Sequence, residues 1–119
     1  MNNRLQKLNS EFKRYIDSLL RQKVKDPRLT EMFTVVAVDC DRDLSTAKVY
    51  VSVFSADSVK AEETFKAICD SEPYLRREIS KAMHVRKVPE FRFTKDTSMS
   101  YGQKIDRILN EINKKQGDN

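Results

Sequence analysis

The sequence predicts a single small α+β domain, and three observations lead to that class. The chain has 119 residues, which is the length of one compact domain. Apolar residues recur at helical spacing in some segments and at strand spacing in others, and no internal repeat or low-complexity linker divides the chain. With 39% hydrophobic and 34% charged residues, the chain can bury one modest core. A large multidomain enzyme and a wholly disordered chain are therefore excluded.

The first predicted element is an amphipathic helix of about twenty residues. From Leu5 to Val24, apolar residues recur at steps of three and four, which places them on one helical face. Asn2 or Asn3 can cap its start. The helix is expected to close at Asp26-Pro27, because proline disfavours helical geometry at the preceding residue and has no amide hydrogen to donate.

Two strands are predicted next, over residues 33–41 and 46–54. Both are rich in β-branched and aromatic residues, and the polar segment 41–45 connects them. In the second strand Ala47, Val49, Val51 and Val53 are predicted on one face and Lys48, Tyr50 and Ser52 on the other, the period of two expected of a half-buried strand. We interpret the pair as a β-hairpin.

Two abutting helices are predicted after the hairpin. Asp57 or Ser58 can cap the first, which ends near Asp70. Its apolar face is predicted to contain Val59, Phe65, Ile68 and Cys69. Ser71, Glu72 and Pro73 form an interhelical hinge, since proline is favoured in a first helical turn and Ser71 can cap the helix that runs to about His84.

A short strand and a last helix complete the prediction. The strand covers residues 91–94, with Pro89 before it, and the helix runs from about Ser100 to Lys114. Three strands make one sheet, whose apolar face the preceding helices can cover. We expect the domain over residues 1–112 and a flexible tail over residues 113–119.

Location and redox state are predicted from what the sequence lacks. The longest uncharged apolar stretch, residues 32–38, is far below the ~18 residues of a membrane span, and charges interrupt the N-terminal segment too often for a secretory signal. These observations favour a cytoplasmic protein. Cys40 and Cys69 lack metal-type spacing and are interpreted as reduced structural residues, with a single bridge between them left open.

Catalytic and metal-binding patterns are weak. Asp39, Asp41 and Asp43 alternate as in a calcium loop, but Leu44 stands where that loop needs glycine, so the acids are interpreted as turn residues. His84 is the only histidine, and Gly102 and Gly117 are the only glycines, which excludes phosphate-binding glycine loops. We therefore expect no enzyme activity, no metal, no cofactor and no small-molecule substrate.

Charge is concentrated in blocks. Residues 1–28 carry eight cationic and three anionic side chains, residues 29–72 carry four and nine, and residues 73–95 carry seven and two. On the third helix Arg77, Lys81 and His84 fall within a narrow arc, while Leu75, Ile79 and Ala82 are expected to lie opposite, in the core. A basic ridge that continues toward the next strand is typical of phosphate binding.

The chain resembles bacterial ribosome-binding factor A over about residues 4–112. The matching pieces are, in chain order, Asp26-Pro27-Arg28-Leu29, Asp43-Leu44, Ala47-Lys48-Val49-Tyr50-Val51-Ser52, Leu75-Arg76, Val85-Arg86, Pro89-Glu90, Phe93, Asp96, Ser98 and Gly102. The resemblance implies a type II KH-like fold, a non-catalytic protein and a partner in the small (30S) ribosomal subunit. It also implies assistance in late maturation and 5′-end processing of 16S rRNA, with a link to cold adaptation.

One motif departs from RNA-binding KH domains in general. Such domains clamp a single strand with a GxxG loop between two helices, and this chain has no glycine there. The family it resembles uses an Ala-x-Gly kink, which is replaced here by Ser71-Glu72-Pro73. Because Glu72 would bring negative charge to the kink, RNA contact is expected from the basic ridge beyond it. The predicted RNA-binding residues are Lys25, Arg28, Arg76, Arg77, Lys81, Arg86 and Lys87.

The functional hypothesis is a factor, monomeric when free, that docks this basic face on folded rRNA and shifts rRNA conformation by binding one form more tightly than another. Two alternatives remain at this point. One is a general single-stranded RNA or DNA chaperone, and the other is a protein-interaction adaptor that uses the acidic segment 29–72. An enzyme dependent on His84 is a more distant third.

Overall fold

The computed structural model describes residues 3–97 and 109–110. Its elements are α1 (Asn3–Gln22), β1 (Met32–Cys40), β2 (Thr46–Phe54), α2 (Ser58–Asp70), α3 (Glu72–Ala82) and β3 (Glu90–Lys95). This order confirms the predicted α+β succession. The expected C-terminal helix and the tail 113–119 lie outside the described residues, except that Leu109 and Asn110 are helical.

The three strands form one sheet in the order β1-β2-β3. The hairpin partners β1 and β2 are antiparallel, with a register shift between Val35 and Ala37 that places a bulge in β1. Strand β3 pairs with β2 in parallel, from Thr46 with Glu90 to Val51 with Lys95. Parallel pairing requires a long crossover, and α2 and α3 supply it.

All three helices contribute to one core against the sheet. Helix α1 buries Phe12, Ile16 and Leu20 completely or nearly so, and the sheet supplies the inward side chains of all three strands. The rings of Phe12 and Phe91 meet edge to face, with centroids 5.6 Å apart, which joins the first helix to the last strand. The core cluster also contains Val35, Val38, Val49, Val51, Ile68, Leu75, Ile79 and Met83.

The helix ends differ from the sequence prediction in three places. Helix α1 ends at Gln22 rather than at Asp26-Pro27, because the amides of Lys23 and Val24 both donate to the carbonyl of Leu19 and close the last turn early. Val59 is 65% exposed instead of core-facing, since it stands in the first turn of α2 before that helix reaches the sheet. Ala82 is exposed at the end of α3, where Met83 enters the core instead.

The aspartates of the β1–β2 connection form hydrogen bonds within the turn. Asp43 accepts hydrogen bonds from the amide and hydroxyl of Ser45 at 3.0 and 2.8 Å, and Asp41 accepts from the Thr46 hydroxyl. Leu44 adopts a positive φ of 57°, so the position that a calcium loop assigns to glycine does have left-handed geometry here. No metal-binding group of His, Cys, Asp and Glu occurs among the described residues.

Both cysteines are free: Cys40 is buried in the core and Cys69 is half-buried on α2. The structure therefore answers the open question of a bridge in favour of reduced thiols. Among the helices of the described segment, none is long and apolar enough to cross a membrane.

Candidate nucleic-acid interface

The turn after α1 is held by Arg28. Its amide donates to Asp26 Oδ1 at 2.9 Å, and its guanidinium contacts the same carboxylate at 3.1 and 2.7 Å. The hydrogen bonds from Arg28 hold the pKa of Asp26 at about 2. The guanidinium also reaches Asp70 Oδ2 at 2.9 Å, which ties this turn to the end of α2. Arg28, a predicted RNA contact, is therefore shared between two carboxylates.

Lys25 lies beside the same junction but is not paired. It is exposed, and no carboxylate of residues 3–97 forms an ion pair with it. With Lys23, Ser71 and Tyr74 it lines a pocket of about 220 Å³. Residues just after α1 and residues at the interhelical hinge thus line one pocket, which we call the junction pocket.

The interhelical hinge keeps helical geometry throughout. Ser71 has φ −79° and ψ −6°, and its hydroxyl donates to the carbonyl of Ile68 at 2.6 Å. It therefore does not cap α3 as predicted, because its side chain is turned back along α2. No residue of the hinge needs a positive φ, so the kink forms without the glycine of the related motif.

Glu72 is turned inward. Its carboxylate accepts a hydrogen bond from the amide of Phe91 at 2.9 Å and pairs with Arg76 at 3.3 Å, and only 12% of its side chain is exposed. The expectation that Glu72 presents negative charge at the kink is wrong. Its carboxylate faces the interior, because the amide of the buried Phe91 in β3 needs a hydrogen-bond acceptor there. Glu72 joins α3 to β3.

The basic ridge of α3 is present but partly neutralised. Arg77 and Lys81 are exposed, opposite the fully buried Leu75 and Ile79. Lys81 contacts Glu78 at 3.2 Å, whereas no carboxylate in the described part of the chain pairs with Arg77. His84 is exposed just beyond the helix end.

Arg86 and Lys87 stand at the other end of α3 from the junction pocket. Both are exposed and carry no ion pair with residues 3–97. The amide of Glu90 donates to the carbonyl of Ser45 at 3.1 Å, which places this segment beside the β1–β2 turn. There the pKa of Asp43 is lowered by hydrogen bonds from Ser45 and, less, by the charge of Lys87.

The seven predicted residues thus do not form one cluster. Helix α3 has 11 residues and spans about 16 Å, and it separates the Lys25 and Arg28 side from the Arg86 and Lys87 side. Arg28, Arg76 and Lys81 are paired with carboxylates of this chain. The cations that remain available for a ligand are Lys25, Arg77, Arg86 and Lys87.

Sequence reasoning did not single out the cations of α1. Lys7, Lys13 and Arg14 are exposed on that helix, and they line a groove of about 670 Å³ between α1 and β1. The charge distribution could have indicated these cations, because residues 1–28 carry eight cationic side chains. Helical spacing alone did not indicate that the edge of β1 would form a groove beside them.

These features define the class of protein: a type II KH-like domain that lacks a GxxG loop and carries basic side chains at and around its helix–hinge–helix. The sequence profile described as "Ribosome-binding factor A" matches residues 4–109. The chain belongs to the ribosome-binding factor A family.

Individual relatives agree with that assignment. A ribosome-binding factor A from Caldicellulosiruptor bescii is 41% identical over 111 residues, which cover 92% of this chain and 84% of that protein. One from Caldanaerobacter subterraneus subsp. tengcongensis is 37% identical over 118 residues, covering 99% and 96%.

Solved structures are similar as well. The solution structure of a putative ribosome binding factor A from Thermotoga maritima matches with a TM-score of 0.68 and 28% identity, covering 84% of this chain and 95% of that one. A homology model of the Thermus thermophilus ribosome binding factor A, fitted into the cryo-EM map of a 30S complex of that factor, matches with a TM-score of 0.62 and 26% identity, covering 78% and 96%.

Proposed function

We propose that this protein is a non-catalytic assembly factor that binds the small ribosomal subunit, contacts 16S rRNA and assists late maturation, including 5′-end processing. The observation that carries the proposal is the similarity over 96% of a homology model of the Thermus thermophilus factor that was fitted into the cryo-EM map of a 30S complex. Action in the cytoplasm, as a monomer and with a contribution to cold adaptation, belongs to the same proposal. So do an RNA-binding unit over residues 1–112 and a flexible tail over residues 113–119.

The proposed contacts are electrostatic. Exposed, unpaired cations neutralise phosphates and release condensed counterions, which makes affinity depend steeply on salt. Of the seven predicted RNA-binding residues, Lys25, Arg77, Arg86 and Lys87 meet this description. The other three predicted residues, Arg28, Arg76 and Lys81, lie beside them and would reach phosphate only by sharing or leaving a carboxylate.

The mechanism that fits such a surface is differential binding. A factor that binds an immature rRNA conformation more tightly than the mature one shifts that population by the ratio of the two affinities. No reacting group is needed on the protein for this shift. His84 is exposed.

Cosedimentation with isolated small subunits, large subunits and joined ribosomes over a salt series tests the proposal. We expect selective, salt-sensitive association with small subunits that is weaker on joined ribosomes. Equal binding to all particles, or equal affinity for short oligonucleotides, would instead support a general single-strand chaperone.

A variant that combines Arg77→Ala, Arg86→Ala and Lys87→Ala tests the surface. It should reduce the slope of log affinity against log salt by about 2, at roughly 0.7 per lost phosphate contact. The control is Lys60→Ala with Lys66→Ala on α2, where both side chains are exposed and neither belongs to the predicted RNA-binding residues. An unchanged slope in the triple variant would remove these three residues from the interface.

The acidic-adaptor alternative is less well supported. Several carboxylates of segment 29–72 already have partners in the fold: Glu31 accepts from Ser55, Asp57 caps α2, and Asp70 binds Arg28. They are therefore less available to a protein partner. Salt-insensitive binding to a ribosomal protein, without rRNA contact, would restore that alternative.

A further inference from the structure

We propose that the groove between α1 and β1 is a second RNA-backbone site, and that an RNA strand follows α1 through it to the interhelical hinge. The inference rests on the proposed binding to the small subunit and adds a surface outside the hinge and α3. It starts from the α1–β1 groove, whose lining includes Lys7, Lys13, Arg14 and Arg21.

The groove has an excess of available positive charge. Asp17 is already bound by Arg21, with Nε–Oδ distances of 3.1 and 3.0 Å. Lys7, Lys13 and Arg14 form no ion pair with any residue of 3–97, and Glu11 is the remaining carboxylate of the lining. Three unpaired cations against one carboxylate favour an anionic ligand.

The spacing of these cations fits a polyanion better than a single small anion. Lys7 and Arg14 are seven residues apart on α1, which is about 10 Å along the axis and nearly two whole turns. Their side chains therefore form a row along the helix rather than a cluster around one point. A row of separated cations matches the repeated phosphates of a nucleic-acid backbone.

Neighbouring cavities lie between the groove and the hinge. Arg21 also lines a neighbouring cavity of about 510 Å³, together with Lys25. Lys25 in turn lines the junction pocket, with Lys23, Ser71 and Tyr74. These successive cavities mark the route that we propose for the strand, from the α1–β1 groove to the α2–α3 junction. Asp26 lines both of the latter cavities and Asp70 lines the second, and both carboxylates are bound by Arg28.

A protein strand added to the edge of β1 is the rival occupant, and the structure opposes it. Asn9 Oδ1 accepts a hydrogen bond from the amide of Cys40 at 2.9 Å, and Arg21 Nη2 donates to the carbonyl of Phe33 at 2.8 Å. Both ends of the edge are thus occupied by α1 side chains, and the bulge at Val36 interrupts the ladder between them. An incoming strand would find few regular partners, whereas phosphate binding needs only the side chains.

The first experiment measures affinity for purified small subunits over a salt series with a variant carrying Lys7→Ala and Arg14→Ala. We expect the slope of log affinity against log salt to fall by about 1.4 to 1.8, at 0.7 to 0.9 per phosphate. The control, Lys60→Ala with Lys66→Ala, removes the same charge from α2 and should leave the slope unchanged. If the two variants behave alike, the groove is not a site. If the wild-type protein does not bind small subunits, the proposed function fails as well.

The second experiment identifies the occupant. A photoreactive diazirine amino acid at Ser10, an exposed lining residue of the groove, should crosslink to rRNA in the complex with small subunits. The same group at Glu63, exposed on α2, is the control and should give no adduct. A crosslink from position 10 to a ribosomal protein, or no crosslink from that position, would overturn the proposal.

Discussion

At the scale of single residues, carboxylates have a larger structural role than their charge suggests. From the sequence, Glu72 is expected to bring negative charge to the kink, and Asp70 is expected only to mark the end of a helix. In the structure Glu72 accepts the amide of Phe91, and Asp70 binds Arg28. Neither partner is near in sequence, so helical or strand periodicity cannot indicate the contact.

Replacing Glu72 by alanine should destabilise the fold by about 1 to 3 kcal/mol, because the buried amide of Phe91 loses its acceptor. Glu72→Gln keeps an acceptor oxygen and should lose clearly less. The midpoint of urea unfolding measures both. Equal loss in the two variants would show that the ion pair with Arg76, rather than the hydrogen bond, supplies the stability.

At the scale of secondary-structure elements, a helix or strand is predicted most securely where many residues contribute to its hydrophobic pattern. The apolar stripe of α1 and the alternation of β2 have many members, so both were predicted, β2 with its observed bounds. Helix α2 has a weak pattern, and Val59 was assigned to the wrong face. Its start was nevertheless predicted, since Asp57 is a strong capping residue and accepts from the amides of Val59 and Lys60.

That cap gives a prediction for α2. Asp57→Ala should reduce stability by about 1 kcal/mol, because the amides at 3.0 and 3.1 Å from its carboxylate lose their acceptor. Asp57→Asn retains a capping oxygen and should be nearly neutral. Thermal unfolding followed by circular dichroism distinguishes them, and an alanine variant as stable as the wild type would mean that the first turn is held by other contacts.

At the scale of the whole molecule, the chain contains groups that limit its stability at both ends of the pH range. Asp26, Glu31 and Asp43 have lowered pKa values, chiefly through hydrogen bonds from Arg28, Ser55 and Ser45 respectively. Burial, with help from Asp39 and Asp41, raises the pKa of Cys40 to about 11. A lowered acid pKa stabilises the fold above the ordinary value, and a raised thiol pKa stabilises it below the ordinary value.

The urea midpoint should therefore be highest between about pH 5 and pH 8.5. It should fall toward pH 2 as Asp26 and the other two carboxylates are protonated, and fall again above pH 9 as the unfolded thiol ionises. Asp26→Asn should flatten the acid decline, and Cys40→Ala should remove part of the alkaline one. A Cys40→Ala profile parallel to the wild type above pH 9 would contradict the second assignment.

The candidate site was predictable only in part, and the reason lies at this largest scale. The charge blocks and the ridge of α3 can be read from the sequence, and so can the class of ligand they favour. Which cations are free can be read only in part. Arg76 and Lys81 pair with Glu72 and Glu78 within one helical turn, which the sequence could have indicated. The contact of Arg28 with Asp70, and the groove beside Lys7 and Arg14, exist only in the folded chain.

The parallel pairing of β2 with β3 has a consequence for how the protein is made. The N-terminal helix and the hairpin leave the ribosomal tunnel first. Until β3 follows, the ring of Phe12 cannot pack against the ring of Phe91, and β2 has only β1 as a paired strand. At synthesis rates of about 5 to 20 residues per second, the interval from Phe54 to Lys95 is roughly two to eight seconds. During that time the nascent chain has an unpaired strand edge and an incomplete core, so we expect chaperones to bind it in this interval.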